Sequence, residues 1–330
     1  MCGISGFVDP ENLLVESQSV LKKMTDLIIH RGPDDKGHWL SPDNIVGIGH
    51  RRLSIHDLSA SGHQPMISQC QRYIMAFNGE IYNFQNLKEQ LIVKGYQFEG
   101  QSDTEVLLNL IVEMGIEEAV KQAEGMFAIA LYDIKENKIS FARDRMGEKP
   151  LYVGMIDSMV IFGSELKIFK AVKNWQSEIS SQALSCYFDY GYIPGPLTIY
   201  ENVVKISPGS ILTLDAKNIR PITEWQEKKY WSLENFIDTN KLNYQSLSEV
   251  TEKLDTLLKS TIEDQLVADV PLGMFLSGGI DSSAVVAVAQ AVSVNKVKTF
   301  SIGFEEDSFN EAPFAEEVAK ALGTDHTELY

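Results

Sequence analysis

The sequence predicts an α+β first half followed by an α/β parallel-sheet half, and three observations predict it. Apolar, strand-like runs with few helices occupy the chain to about residue 215. A polar, charged stretch follows, including Glu224 to Lys229. Beyond it, helical and extended patterns alternate, as they do where helices cross over a parallel sheet. The length of 330 residues, at about 150 per domain, also favours roughly two domains. The expected division is 2–215 and 247–330, with 216–246 connecting them.

The elements follow from local pattern. Small and apolar residues at 2–8 suit a buried strand, and Leu21, Met24, Leu27 and Ile28 form a helical stripe that stops before Gly32-Pro33. Residues 45–48 and 73–77 read as strands. The second is expected to turn at Asn78-Gly79 into Glu80-Ile81-Tyr82, because Asn-Gly favours the positive φ of a hairpin turn. Helices at 84–94 and 104–114 are closed by Gly95 and Gly115, and Ser102 with Glu105 has the spacing of a capping box. Residues 126–132 and 138–142 form a hairpin across Lys135-Glu136-Asn137, followed by short strands at 151–153 and 159–162. After the polar stretch come helix 249–265, strand 270–276, helix 281–292, strand 297–304 and helix 312–322.

With 44% hydrophobic and 23% charged residues the chain can bury a sizeable interior, which excludes wholesale disorder. Its 29 basic against 46 acidic residues leave a net charge of -17, and with no Lys/Arg run a nucleic-acid partner is not expected. The three cysteines, Cys2, Cys70 and Cys186, are too far apart for a zinc knuckle or a disulfide framework, which points to a reducing cytoplasm. The amino terminus has no basic n-region and meets Asp9 and Pro10 early, so it is not a secretory signal. No apolar run reaches the roughly 20 residues of a membrane span; residues 284–294 come nearest and carry Gln290 and Ser293. His50, His56 and His63 lack the helical i, i+4 spacing of a zinc pair, so no metal is expected in the first domain.

Chemistry concentrates at the amino terminus. Cys2 follows only Met1, whose removal would leave a cysteine carrying a free α-amine, so that one residue holds nucleophile and base. On position alone Cys2 reads rather as a small buried hydrophobe of the first strand. The context is Cys2-Gly3-Ile4-Ser5-Gly6, His30-Arg31-Gly32-Pro33-Asp34, Arg52-Leu53-Ser54-Ile55, Phe77-Asn78-Gly79-Glu80-Ile81-Tyr82-Asn83 and Ser102-Asp103-Thr104-Glu105. This ordered set resembles the class II glutamine amidotransferase domain, an N-terminal-nucleophile hydrolase, as found in glutamine-hydrolysing asparagine synthetases. The resemblance implies an αββα sandwich. It also implies Cys2 for attack, Asn78 and the Gly79 N–H for the oxyanion, and a glutamine site of Arg52, Leu53, Ser54, Ile55, Asn78, Gly79, Glu80 and Asp103. Physically, Arg52 offers a bidentate fork for the α-carboxylate and Asp103 an anion for the ammonium.

A second signal is Phe275-Leu276-Ser277-Gly278-Gly279-Ile280-Asp281-Ser282-Ser283, between an expected strand and helix. Glycines there let backbone N–H groups face an anion at a helix start, though the Gly-Lys-Ser/Thr ending of a Walker loop is absent. The string resembles the pyrophosphate-binding loop of ATP pyrophosphatases. That likeness implies ATP binding by Phe275, Leu276, Ser277, Gly278, Gly279, Asp281, Ser282 and, on the next strand, Ile302, with Asp281 toward Mg2+ and pyrophosphate.

Together the two halves resemble the glutamine-hydrolysing asparagine synthetase family. The implied partners are glutamine, ATP and aspartate, with ammonia passing near Arg31 and Met126 to an aspartyl adenylate. A homodimer is left open. The family's later pyrophosphate-contacting segment does not occur before Tyr330, so the ATP half is expected to be incomplete in this chain. An amidotransferase with another acceptor, a glutaminase-only fragment and a non-catalytic glutamine-binding remnant are the alternatives.

Overall fold

The computed structural model describes residues 1–173, 175–237, 246–306 and 308–330. The chain divides into two compact units, Met1–Ile237 and Asp238–Tyr330. The first unit begins β1 (Gly3–Val8), α1 (Ser17–Asp26), β2 (Asp35–Leu40), β3 (Val46–Arg52), β4 (Met66–Ile67), β5 (Tyr73–Ile81), α2 (Phe84–Val93) and α3 (Asp103–Gln122). It continues β6 (Gly125–Asp133), β7 (Lys138–Arg143), β8 (Tyr152–Ile156), β9 (Met159–Gly163), α4 (Ser181–Tyr190), β10 (Val203–Lys205), β11 (Ser210–Asp215) and β12 (Glu227–Lys229).

These strands form two six-stranded sheets, ordered β10-β8-β9-β1-β3-β2 and β12-β11-β7-β6-β5-β4. Every ladder in them is antiparallel, as in β1 against β3 with Gly3 opposite Arg51. Three apolar layers define the sandwich. Ile4, Val8, Ile48 and Phe162 of one sheet meet Ile74, Ala76, Ala128 and Phe141 of the other. On the outer face of the first sheet, Phe7 and Ile161 pack on Leu21, Met24 and Ile28 of the α1 region. On the outer face of the second, Met75, Phe77 and Ile129 pack on Leu87, Leu91, Leu107 and Ile111 of α2 and α3. The order is helix, sheet, sheet, helix, the αββα architecture. Burying each of the larger side chains stabilises it by about 1.5–3 kcal/mol relative to exposure.

One expected element is corrected. The strand that was to turn at Asn78-Gly79 runs straight on as β5 to Ile81, with Asn78 opposite Ala128 and Gly79 opposite Phe127. Pairing along the whole length of β6 outweighs the local turn preference of Asn-Gly. The helix expected to close at Gly115 does break there, at φ 81°, but helical structure resumes and α3 extends to Gln122. Within the expected connector, β12 pairs with β11 and Tyr230 is buried with its hydroxyl donating to the Arg143 carbonyl at 2.9 Å. Residues 238–245 of that connector lie outside the described residues.

The second unit carries α5 (Leu247–Gln265), β13 (Gly273–Phe275), α6 (Ile280–Val292), β14 (Lys298–Ile302), α7 (Ala312–Leu322) and β15 (Asp325–Leu329). Its strands pair in parallel in the order β13-β14-β15, as the helix–strand alternation requires. Two small clusters hold it, one around Leu276, Val286, Ala315 and Ala319 and one around Ile262, Ala289 and Val297. Among the described residues, no helix is long and apolar enough to cross a membrane.

Candidate active site

Cys2 enters β1, Arg52 ends β3, Asn78, Gly79 and Glu80 lie near the end of β5, and Asp103 opens α3. The two sheets and the helix start thus deliver these residues to one pocket of about 180 Å³. Leu53, Ile55, His56, Gln64, Phe77, Met126 and Lys149 share its lining. Ser54 does not: its N–H donates to Asp34 Oδ2 at 2.8 Å and it lines a neighbouring surface pocket with Arg52 and His63.

The Cys2 thiol is bracketed by one residue. Leu53 N–H donates to Sγ at 3.3 Å, and Sγ reaches the Leu53 carbonyl at 3.6 Å. Burial pushes this thiol up from its ordinary range, so forming the thiolate requires a local base. Arg31 Nε donates to the Cys2 carbonyl at 2.9 Å and fixes the main chain there. Its Nη1 reaches Glu165 at 3.2 Å, while Nη2 is buried without a partner among the described residues. Burial works against ionising Glu165, but hydrogen bonds from Lys167, His30 and Arg31 more than offset it and hold the carboxyl below its usual range.

Asn78 is the most telling polar group. It is 1% exposed, and its Nδ2 has no hydrogen-bond partner among the described residues. Buried amide donors are nearly always satisfied, so an orphan on a pocket wall marks a place for an incoming acceptor. The backbone of the preceding residue, Phe77, is held from two sides. Gln64 Oε1 accepts the Phe77 N–H at 2.7 Å, and His50 Nε2 donates to the Phe77 carbonyl at 2.9 Å. Burial lowers His50 to about 3, so the ring stays neutral in that role. Beside Asn78, Gly79 leaves the strand surface bare: a Cβ there would lie 2.2 Å from the Met126 carbonyl oxygen.

Two charged groups complete the pocket. Arg52 is buried, with Nη1 donating to the Ser59 carbonyl at 3.0 Å and Nη2 to the carbonyls of His56, at 3.1 Å, and Asp57. A guanidinium has five N–H donors, so Nε and the second Nη1 hydrogen remain for a ligand. Asp103 accepts the Ile81 N–H on Oδ2 at 2.9 Å. Burial pushes its carboxyl up to about 6, against the opposing pull of that hydrogen bond. Among the described residues, no cluster of His, Cys, Asp and Glu could hold a metal ion.

In the second unit the Ser277–Ser282 segment links β13 to α6, at the carboxyl ends of the parallel strands where open α/β sheets bind ligands. Gly278 has φ 79°, and a Cβ on it would meet Phe314 Cβ at 2.7 Å, so only glycine suits the turn. Ser282 Oγ lies 2.9 Å from Ser277 Oγ and donates to the Gly279 carbonyl at 3.2 Å, closing the loop. Asp281 is exposed in the first turn of α6, and Phe275 and Ile302 are also exposed at their strand ends. Leu276, by contrast, is 2% exposed and belongs to the core.

Both units resemble known proteins. Residues 1–231 match the family model described as glutamine amidotransferase domain, and residues 253–330 match the model described as asparagine synthase. The chain belongs to the glutamine amidotransferase domain family. It is 38% identical to glutamine-hydrolyzing asparagine synthetase 1 of Bacillus subtilis, over 99% of this chain and 49% of that protein. It is 36% identical to putative glutamine-hydrolyzing asparagine synthetase 2 of Methanocaldococcus jannaschii, over 100% of this chain and 65% of that protein. The chain therefore spans about half to two thirds of the length of these relatives. A solved structure of the allosteric regulatory enzyme of purine biosynthesis aligns over 100% of this chain and 90% of that one, with TM-score 0.51 and 15% identity, and shows likeness of fold alone.

Within this glutamine amidotransferase domain, sequence reasoning left out His56, Gln64, Phe77 and Lys149 of the pocket wall. His56 rests on the Phe84 ring at 5.4 Å between centroids. Lys149 is 7% exposed. A lysine in the charged run Arg143 to Lys149 reads locally as a solvated loop, and only its burial between two strands distinguishes it.

Proposed function

We propose that the first unit hydrolyses the side-chain amide of glutamine and that the second belongs to the nucleotide half of a glutamine-dependent asparagine synthetase. The orphan Nδ2 of Asn78, buried on the same wall as Cys2, carries the reading. Loss of Met1 gives Cys2 an α-amine, which takes the thiol proton as sulfur attacks the amide carbon. The displaced electron pair goes to the amide oxygen, received by Asn78 Nδ2 and the Gly79 N–H. When the tetrahedral centre collapses, the C–N bond breaks and the protonated amine returns its proton to the leaving nitrogen, releasing ammonia. Water then cleaves the thioester to glutamate. Arg52 receives the α-carboxylate through its unused N–H groups and Asp103 the ammonium, with Glu80 beside them.

The ammonia acceptor is aspartate activated by ATP, which yields AMP and pyrophosphate. Ser277, Gly278, Gly279 and Ser282 offer backbone and hydroxyl groups to the phosphates. A single exposed carboxylate at Asp281 suits Mg2+, which keeps waters and phosphate oxygens in its shell. The test is Cys2→Ala in the processed chain. Ammonia release from glutamine should fall to background, by at least about 10³-fold. In protein that also retains the second site, pyrophosphate release with aspartate and free ammonia should persist. A variant that hydrolyses glutamine at the parental rate refutes the nucleophile.

A further inference from the structure

Lys149 is a buried cation to which the reaction scheme assigns no part. It lines the pocket with Cys2, Asn78, Gly79 and Glu80, is 7% exposed, and makes no ion pair among the described residues. The stem is withdrawn from solvent, while the ammonium has no side-chain partner among the described residues and is free to act on the other groups of the pocket wall. Its backbone is held firmly. Asp144, 1% exposed, accepts N–H groups from Phe127, Met146, Glu148 and Lys149 at 2.9–3.1 Å, and Arg143 Nε donates to the Lys149 carbonyl at 2.7 Å. Phe127 pairs with Gly79, so this brace ties the Lys149 loop to the strand carrying the oxyanion donors. We propose that Lys149 is a positioning residue for the amine-assisted step, its ammonium facing the terminal amine and keeping that amine in its neutral, proton-accepting form.

Around the amine, burial lowers its proton affinity first; Arg31 and Lys149 act in the same sense, and the Cys2 thiol and Glu80 oppose them. Arg52, His56 and Asp103 are the other charged or titratable groups of the pocket wall. The amine in this structure is that of Met1, and removing Met1 moves the free amine one residue inward, to Cys2, whose carbonyl Arg31 grips.

This inference rests on the terminal-nucleophile reading above, and the experiment separates the two. Processed protein, its Met1 loss checked by intact mass, is treated with a chloromethyl ketone analogue of glutamine and with iodoacetamide from about pH 5 to 9. Labelling of Cys2 is followed for the parent, Lys149→Met and Lys149→Arg. In Lys149→Met the acid limb of the Cys2 labelling rate should move to higher pH by about one unit. In Lys149→Arg it should return toward the parent. An unmoved limb in Lys149→Met overturns the role of Lys149. A parent whose Cys2 resists the glutamine analogue overturns the amidotransferase reading instead. Should Lys149→Met fail to fold, Lys149→Gln replaces it under the same criteria, since the braces on this loop are made to backbone atoms.

Discussion

In the proposed site Asp103 has opposite consequences for folding and for binding. Its ordinary value near 3.8 is raised to about 6 by burial, so between these values the folded chain holds more protons than the unfolded one. Stability therefore falls as pH rises through that window, and the cost is fully present above about 6. Asp103→Asn removes the cost while keeping an oxygen for the Ile81 N–H. We expect it to stabilise the fold at neutral pH by about 1–3 kcal/mol and to raise KM for glutamine at least about 100-fold. In the parent, kcat/KM should decline below about pH 6 as the carboxylate that meets the ammonium is protonated. Thermal melts at two pH values and steady-state kinetics check both; a variant no more stable than the parent at pH 7 contradicts the electrostatic account. The residue types of this site were legible early, since a terminal cysteine, an arginine, an Asn-Gly pair and an aspartate at a helix start each advertise a chemistry. Local pattern could not show that Ser54 faces away, or that Arg52 is already gripped by the carbonyls of its own loop.

Among the elements, β5 governs the site. Its neighbour β4 is only two residues long, so the edge near Phe77 is completed by side chains, Gln64 on the N–H and His50 on the carbonyl. On the other side β6 lies so close to Gly79 that a methyl group would strike the Met126 carbonyl oxygen at 2.2 Å. Gly79→Ala must push the strands apart, and we expect a loss of about 1–3 kcal/mol in urea unfolding together with loss of glutaminase activity. An alanine variant with parental stability and turnover would mean that the strand pair yields freely. Asn78-Gly79 shows why local preference misleads here. The dipeptide favours a turn, but pairing with Ala128 and Phe127 and burial of Phe77 and Ile81 on the helices reward an extended chain. The strand β15 was missed for the converse reason: Asp325-His326-Thr327-Glu328-Leu329 has no apolar alternation and is held by its parallel register with β14.

For the whole molecule, the two units have unequal means of support. Three extended apolar layers hold the first, whereas the second depends on two small clusters and exposes Phe275, Ile280, Phe314 and Leu329. Stability should scale with the apolar area removed from water, so the second unit should unfold at lower urea. All four tryptophans, Trp39, Trp175, Trp225 and Trp231, belong to the first unit. Tryptophan emission should thus report only the later transition, while far-UV circular dichroism should register both. Coincident curves would show that the units unfold together.

The division into a strand-rich half and an alternating half, most helices, and the candidate site residues Cys2, Arg52, Asn78 and Asp103 were legible in sequence alone. Those features depend on neighbours within a few turns of the chain, where periodicity, capping and residue chemistry act directly. Tertiary structure alone decided the continuity of β5, the orphaned Asn78 amide, the raised proton affinity of Asp103 and the burial of Lys149. Each arises from desolvation and from partners brought from distant segments, as when β6 passes beside Gly79 or Ile81 caps the Asp103 carboxylate. Such quantities belong to the folded arrangement and have no counterpart in any short stretch of sequence.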